Sequence, residues 1–120
     1  MASSVVVAHE APKPPVGRLT AREHEWILGA GAEVLKLSTL QARVLARCLS
    51  EGSFITDRLG IAFGASRQAV YGAIGALRRR GLLEVTSSVR EGLCIRRTVV
   101  PGPSLRALLN MLEGPAAASR

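Results

Sequence analysis

From Thr20 onward the chain runs as apolar stripes of helical period separated by short breaks rich in Gly, Ser and Pro. "TARE", Thr20 to Glu23, has the spacing of a capping box, in which hydroxyl and carboxylate satisfy each other's backbone N–H groups. It predicts a helix over 20–37. Around that helix Trp26, Ile27, Leu28, Ala30, Val34, Leu35 and Leu37 cover more than half the circumference, and Arg22, Glu25, Glu33 and Lys36 leave only a narrow polar strip. A helix with so wide an apolar face needs cover on two sides.

A second capping box, "STLQ" at Ser38 to Gln41, opens the next helix. It places Val44, Leu45, Cys48 and Leu49 on one face, Arg43 and Arg47 on the other, and ends at Gly52. Thr56 and Asp57 then start a short helix with Leu59 and Phe63 one turn apart on its inner side. Gly64 breaks it, and Ser66 caps a further helix running to about Arg80, in which Val70, Ile74 and Leu77 form the buried stripe. Two short helices across a three-residue turn containing Gly form a helix-turn-helix.

After Gly81 the pattern changes from helical to β-branched. "LLEVTSSVREGLCIRRTVV", with a turn-like middle at Ser87 to Gly92, predicts a β-hairpin. "PGPS" closes it and starts a last helix over 104–113, whose apolar face is Leu105, Leu108, Leu109, Met111 and Leu112. Residues 1–19, with Pro12, Pro14 and Pro15, read as a flexible arm, and 114–120 as a tail. The expected fold is therefore mainly α with a small hairpin: one domain over 20–113, with a core at 38–100 and a flanking helix on each side.

Composition adds a partner. The formal net charge is +7. Residues 1–42 are neutral, and residues 43–120 carry twelve arginines against five acids, which puts the whole excess there. A GC-rich genome accounts for fourteen Arg against two Lys, but not for the surplus of positive charge, which fits a polyanion. The helix from Ser66 to Arg80 sharpens this. Opposite its buried stripe lie Gln68, Gly72, Gly75 and Arg79, with Tyr71 and Arg78 at one margin. Each glycine costs about 0.5–1 kcal/mol of helix stability relative to Ala, and each leaves backbone open to a close approach.

The order helix, helix, turn, helix, hairpin resembles the winged helix-turn-helix of bacterial transcriptional regulators. The residues that carry the resemblance are Thr56, Leu59, Phe63, Gly64, Ser66, Val70, Ile74, Leu77, Gly81, Leu82 and Leu83. A helix on each side of the core is similar to the layout of the MarR group. The chain is short for that group, "SSVREGLCIRR" lacks the aspartate of its usual wing pair, and Gly60 stands where alanine is commoner. The resemblance implies a serine-capped recognition helix, an apolar triplet that seats it, a wing opened by "GLLEV", and terminal helices that interlock into a homodimer.

These readings assign roles by residue. Arg67, Gln68 and Tyr71, at the N-terminal end of the recognition helix, are the candidate base readers. Ser66, Arg79, Arg90 and Arg96 are candidate backbone contacts, Gly72 and Gly75 the points of close approach. Arg96 and Arg97 alternate along a strand and cannot face the same way. Trp26, Ile27, Val34, Leu105, Leu108 and Leu112 are the expected subunit interface. The expected partners are double-stranded DNA and a second copy of the chain, with no membrane. The rival readings are a winged-helix module that docks proteins and a non-specific nucleoid or RNA binder.

Chemistry of other kinds finds no support in the pattern. Cys48 and Cys94 have no metal-ligand spacing, so neither metal nor cofactor is expected, and Cys48 reads as a small core hydrophobe. No histidine stands beside a credible nucleophile and no phosphate-binding glycine motif occurs, so an enzyme is not expected. The start "MASSVVVAHEAPKPP" is neither signal peptide nor anchor, which gives a cytoplasmic, nucleoid-associated expectation. The sequence specifies no small-molecule effector.

Overall fold

The computed structural model describes residues 18–118, with the side chains of Asp57, Leu59 and residues 113–118 excepted. Residues 1–17 of the expected arm and the last two of the expected tail lie outside the described residues. In chain order the elements are α1 (Ala21–Leu28), α2 (Ala30–Leu35), α3 (Thr39–Glu51), β1 (Ser53–Ile55), a 3-10 turn (Thr56–Arg58), α4 (Leu59–Phe63), α5 (Arg67–Arg79), β2 (Leu83–Glu91), β3 (Cys94–Pro101) and α6 (Pro103–Ala118).

Both capping boxes form. The Glu23 amide donates to Thr20 Oγ1 at 3.1 Å while the Thr20 amide donates to the Glu23 carboxylate at 2.9 Å. Ser38 and Gln41 repeat the pattern at 3.0 and 3.1 Å. Each box satisfies N–H groups that a helix start otherwise leaves unpaired.

The helix expected over 20–37 is two helices. Gly29 takes a non-helical conformation, and Gly31 is the reason the chain can turn there: a Cβ on Gly31 would stand 2.7 Å from both the Trp26 ring and the Trp26 carbonyl. The break folds α2 back on Trp26 and changes which apolar residues face inward. Ile27 and Leu35 enter the core, whereas Val34 is 62% exposed.

α3 lies across α5, and the core between them is Val44, Leu45, Cys48 and Leu49 against Val70, Ala73, Ile74 and Leu77, all buried. Gly64 ends α4 in the left-handed region (φ +62°). Gly60 lets the turn close on α4, because a Cβ there would stand 2.8 Å from the Ala65 carbonyl oxygen.

The hairpin is part of a larger sheet. β2 and β3 pair antiparallel around a turn at Gly92 and Leu93, with a bulge between Val85 and Ser87. The short β1 adds to the other side of β3, giving the order β1-β3-β2. β1 was not legible as a strand, since three residues carry no period; pairing Ser53, Phe54 and Ile55 with Thr98, Arg97 and Arg96 makes it one.

α6 leaves the sheet where two glycine backbones touch. A Cβ on Gly102 would overlap the Gly81 carbonyl, and the Ser104 amide donates to that carbonyl at 3.1 Å. The helix runs five residues past the expected end at Glu113, with Pro115 inside it. Leu105 and Leu109 are wholly buried, and Leu108 packs at the core's edge. Ile27 and Leu105, expected at a subunit interface, are each 0% exposed within the single chain. This corrects the expectation for both: their surface is consumed by the monomer core and none is left for a partner.

Candidate nucleic-acid interface

α5 is held at both ends by its own sequence. Ser66 Oγ accepts from the Ala69 amide at 3.0 Å, which caps the N-terminus. Gly81, at φ +75°, terminates the other end. Between them Val70, Ile74 and Leu77 seat the helix in the core as expected.

Its opposite side is open among the described residues. No atom lies within 4 Å of where a Cβ on Gly72 would be, and at Gly75 only the Arg79 guanidinium comes near, at 3.3 Å. Arg67, Gln68, Arg78 and Arg79 are exposed along the same helix.

Tyr71 has a different employment from the one its position implied. Its hydroxyl donates to the Thr56 carbonyl, so its polar end is spent on the protein's own backbone. In this conformation it ties α5 to the 3-10 turn rather than presenting an O–H outward.

A groove runs between α5 and the sheet, lined by Tyr71, Ile74, Gly75 and Arg78 on one side and Phe54, Thr56, Ile95 and Arg97 on the other, with a volume of about 390 Å³. Strand alternation decides which wing arginine enters it. Arg97 faces α5, with its guanidinium donating to Ser88 Oγ at 2.9 Å. Arg96 faces the other way, ion-paired to Glu91 at 2.7 Å and donating to Ser53 Oγ at 3.1 Å. The expectation that Arg96 contacts the same ligand as α5 is corrected by this geometry. Arg97 and Arg78 were named from the sequence but not assigned a contact; alternation supplied the signal for Arg97 but not its direction, which the β1–β3 pairing sets.

The three arginines at the end of α5 separate in the same way. Arg78 and Arg79 border the open face. Arg80 turns back, donating to the Leu35 carbonyl at 2.6 Å, and so caps the end of α2. At the wing tip Arg90 is exposed beside Leu93, which is 93% exposed.

Cys48 is buried on the inner face of α3, and burial pushes its thiol up from 9.0 to about 12, with Glu51 adding to the rise and Arg47 opposing it. A thiol so held is not the reactive thiolate a redox sensor needs. No group of His, Cys, Asp and Glu able to hold a metal occurs among the described residues, and none of the described helices is long and apolar enough to cross a membrane.

A helix-turn-helix whose second helix stands beside a β-hairpin is a winged helix-turn-helix, and that is the class this chain's fold defines. Among solved structures it is similar to a transcriptional regulator of the MarR family from Silicibacter pomeroyi, at 24% identity and a TM-score of 0.48, covering 76% of this chain and 59% of that one. It is also similar to NolR from Sinorhizobium fredii, at 19% identity and a TM-score of 0.44, covering 84% and 94%. The chain therefore spans somewhat under two thirds of the length of the first regulator. No protein-family model matches the sequence, and no curated protein matches it.

Proposed function

We propose that this chain is a sequence-specific DNA-binding regulator of transcription that acts as a homodimer, with α5 in the major groove and the wing on the adjacent backbone or minor groove. The observation that carries the reading is the bare outer side of α5 at Gly72, bordered by arginines from both the helix and the sheet. A duplex can approach the helix axis there, while Arg78 and Arg97 stand where a flanking phosphate strand would pass.

Arg67 and Gln68 read bases; Arg to guanine and Gln to adenine are the bidentate pairs the major groove offers. Ser66 keeps its hydroxyl proton for a phosphate, since the cap uses only its oxygen lone pair. Arg79 and Arg90 add backbone contacts. Repression by occupying a promoter is the default mode, because the chain carries no segment with the composition of an activation domain.

Selection of duplexes from a random library by the full chain tests this. The expected result is enrichment of one motif with two-fold symmetry and half-sites about one helical turn apart. Arg67→Ala then relaxes preference at one base position per half-site, at about 1–3 kcal/mol of lost discrimination. Enrichment of no motif, with binding insensitive to salt, sinks the reading in favour of a protein-docking module. Salt-sensitive binding without a motif sinks it in favour of a non-specific nucleic-acid binder.

A further inference from the structure

The wing ends on an apolar side chain that the core leaves outside. Leu93 is 93% exposed at the second position of the two-residue loop joining β2 to β3. Gly92 opens that loop at φ +65°, as tight hairpin turns require. No atom of the described residues lies within 4 Å of where a Cβ on Gly92 would be. Small or polar residues are the ordinary choice for a solvated hairpin loop. β1 pairs with β3 only as far as Arg96, so the loop stands beyond the three-stranded part of the sheet. A strand rises about 3.3 Å per residue, which carries Leu93 about 13 Å past Arg97 of the α5 groove.

Register sorts the charges around that tip, because directly opposed residues of a strand pair share a face. Ser88 opposes Arg97 and Arg90 opposes Ile95, and both Ile95 and Arg97 line the α5 groove. Arg90 therefore stands on the α5 side. Glu91, the one acid between 88 and 97, opposes Cys94 on the other side and pairs there with Arg96 at 2.7 Å. The side of the wing that continues the α5 surface is thus cationic up to an uncharged point. A polyanion with an apolar interior answers both features, and continuity with the open face of α5 selects a base-stacked duplex.

We propose that Leu93 is a wedge: with α5 in the major groove, its side chain presses between two stacked base pairs from the adjacent minor groove, opening that step and bending the duplex. Apolar side chains inserted in this way kink DNA by about 20–90°. Pyrimidine–purine steps unstack most readily, so Leu93 selects a TA or CA step without a hydrogen bond to any base. Arg90 meets a phosphate bordering the opened step. This inference rests on the DNA-binding reading above, and it adds a source of sequence preference separate from Arg67 and Gln68.

Duplexes bearing the selected motif test the wedge when one TA step, with 2-aminopurine as its adenine, is placed in turn at each position flanking a half-site. Binding of the full chain should raise the 2-aminopurine fluorescence at one position, and energy transfer between dyes on the duplex ends should report a bend. Replacing TA by AA at that position should weaken binding about tenfold. Leu93→Ala should lose the fluorescence rise, the bend and the step preference while keeping the motif and the salt slope, since no charge is removed. Leu93→Met, which is again an apolar wedge, should keep all of them. Thermal unfolding of Leu93→Ala should match the wild type, because the side chain is exposed. A straight duplex with a stacked step, or a bend that persists in Leu93→Ala, overturns the wedge while the enriched motif leaves the DNA reading standing. Leu93-dependent binding to phosphatidylglycerol vesicles, with duplex binding indifferent to Leu93, overturns it in favour of a lipid surface. Failure to bind any duplex overturns the DNA reading and the wedge together.

Discussion

At Thr56 one residue joins three elements: its carbonyl accepts from Tyr71 of α5, and its Oγ1 accepts from the Ile95 amide of β3 at 3.4 Å. Tyr71→Phe removes the first of these and should cost about 0.5–1.5 kcal/mol in chemical denaturation, with sequence preference unchanged. A shifted preference would return Tyr71 to base reading. At Cys48 the linkage to pH is explicit. The folded state holds the thiol proton up to about pH 12, whereas an exposed thiol releases it near 9.0. The contribution to stability is therefore full below pH 9.0 and is lost as pH rises from there toward 12. In a Cys94→Ser background, iodoacetamide at pH 8 should label Cys48 only on unfolding; labelling at native rates would place the thiol outside the core.

At the scale of elements, the same substitution has opposite signs at two glycines of helical segments. Gly72→Ala fills open space on α5 and should raise stability by about 0.5–1 kcal/mol, while weakening DNA affinity by denying the close approach. Gly31→Ala drives a methyl into Trp26 and should lower stability by about 1–3 kcal/mol. Thermal and denaturant unfolding of the pair read both; equal signs would mean that the α1–α2 break does not depend on Gly31. The capping boxes, the helix-turn-helix and the seat of α5 were legible because each rests on residues within one or two helical turns of each other. The break at Gly29 and the strand β1 were not. The first depends on a glycine meeting a ring five residues earlier, the second on a partner strand more than forty residues later.

For the whole molecule, the surplus of arginine divides between two faces of the sheet. Arg78→Ala and Arg97→Ala should each reduce the slope of log affinity against log salt by about 1, and Arg96→Ala should leave it unchanged because Arg96 points to the opposite face. A slope altered by Arg96 alone would reverse the orientation assigned to β3. The proposed subunit interface moves too. With Ile27 and Leu105 in the core, the apolar surface left on the flanking helices includes Val34 and Met111, which is 74% exposed. The double variant Val34→Asp with Met111→Asp should sediment as a monomer and lose more than about tenfold in DNA affinity, since two linked half-site contacts become one. A dimer unaffected by both charges would put the interface elsewhere.

Local chemistry written in the chain determined where helices begin and end, which stripe of α5 is buried, and that positive charge accumulates after residue 42. Those follow from side chains acting on their own backbone and from period. Only the tertiary structure decided that Arg97 rather than Arg96 joins α5, that Tyr71 is spent on Thr56, and that Ile27 belongs to the core. Each of those depends on which distant segment arrives alongside, and a strand's period says that neighbours face apart without saying which one faces the helix.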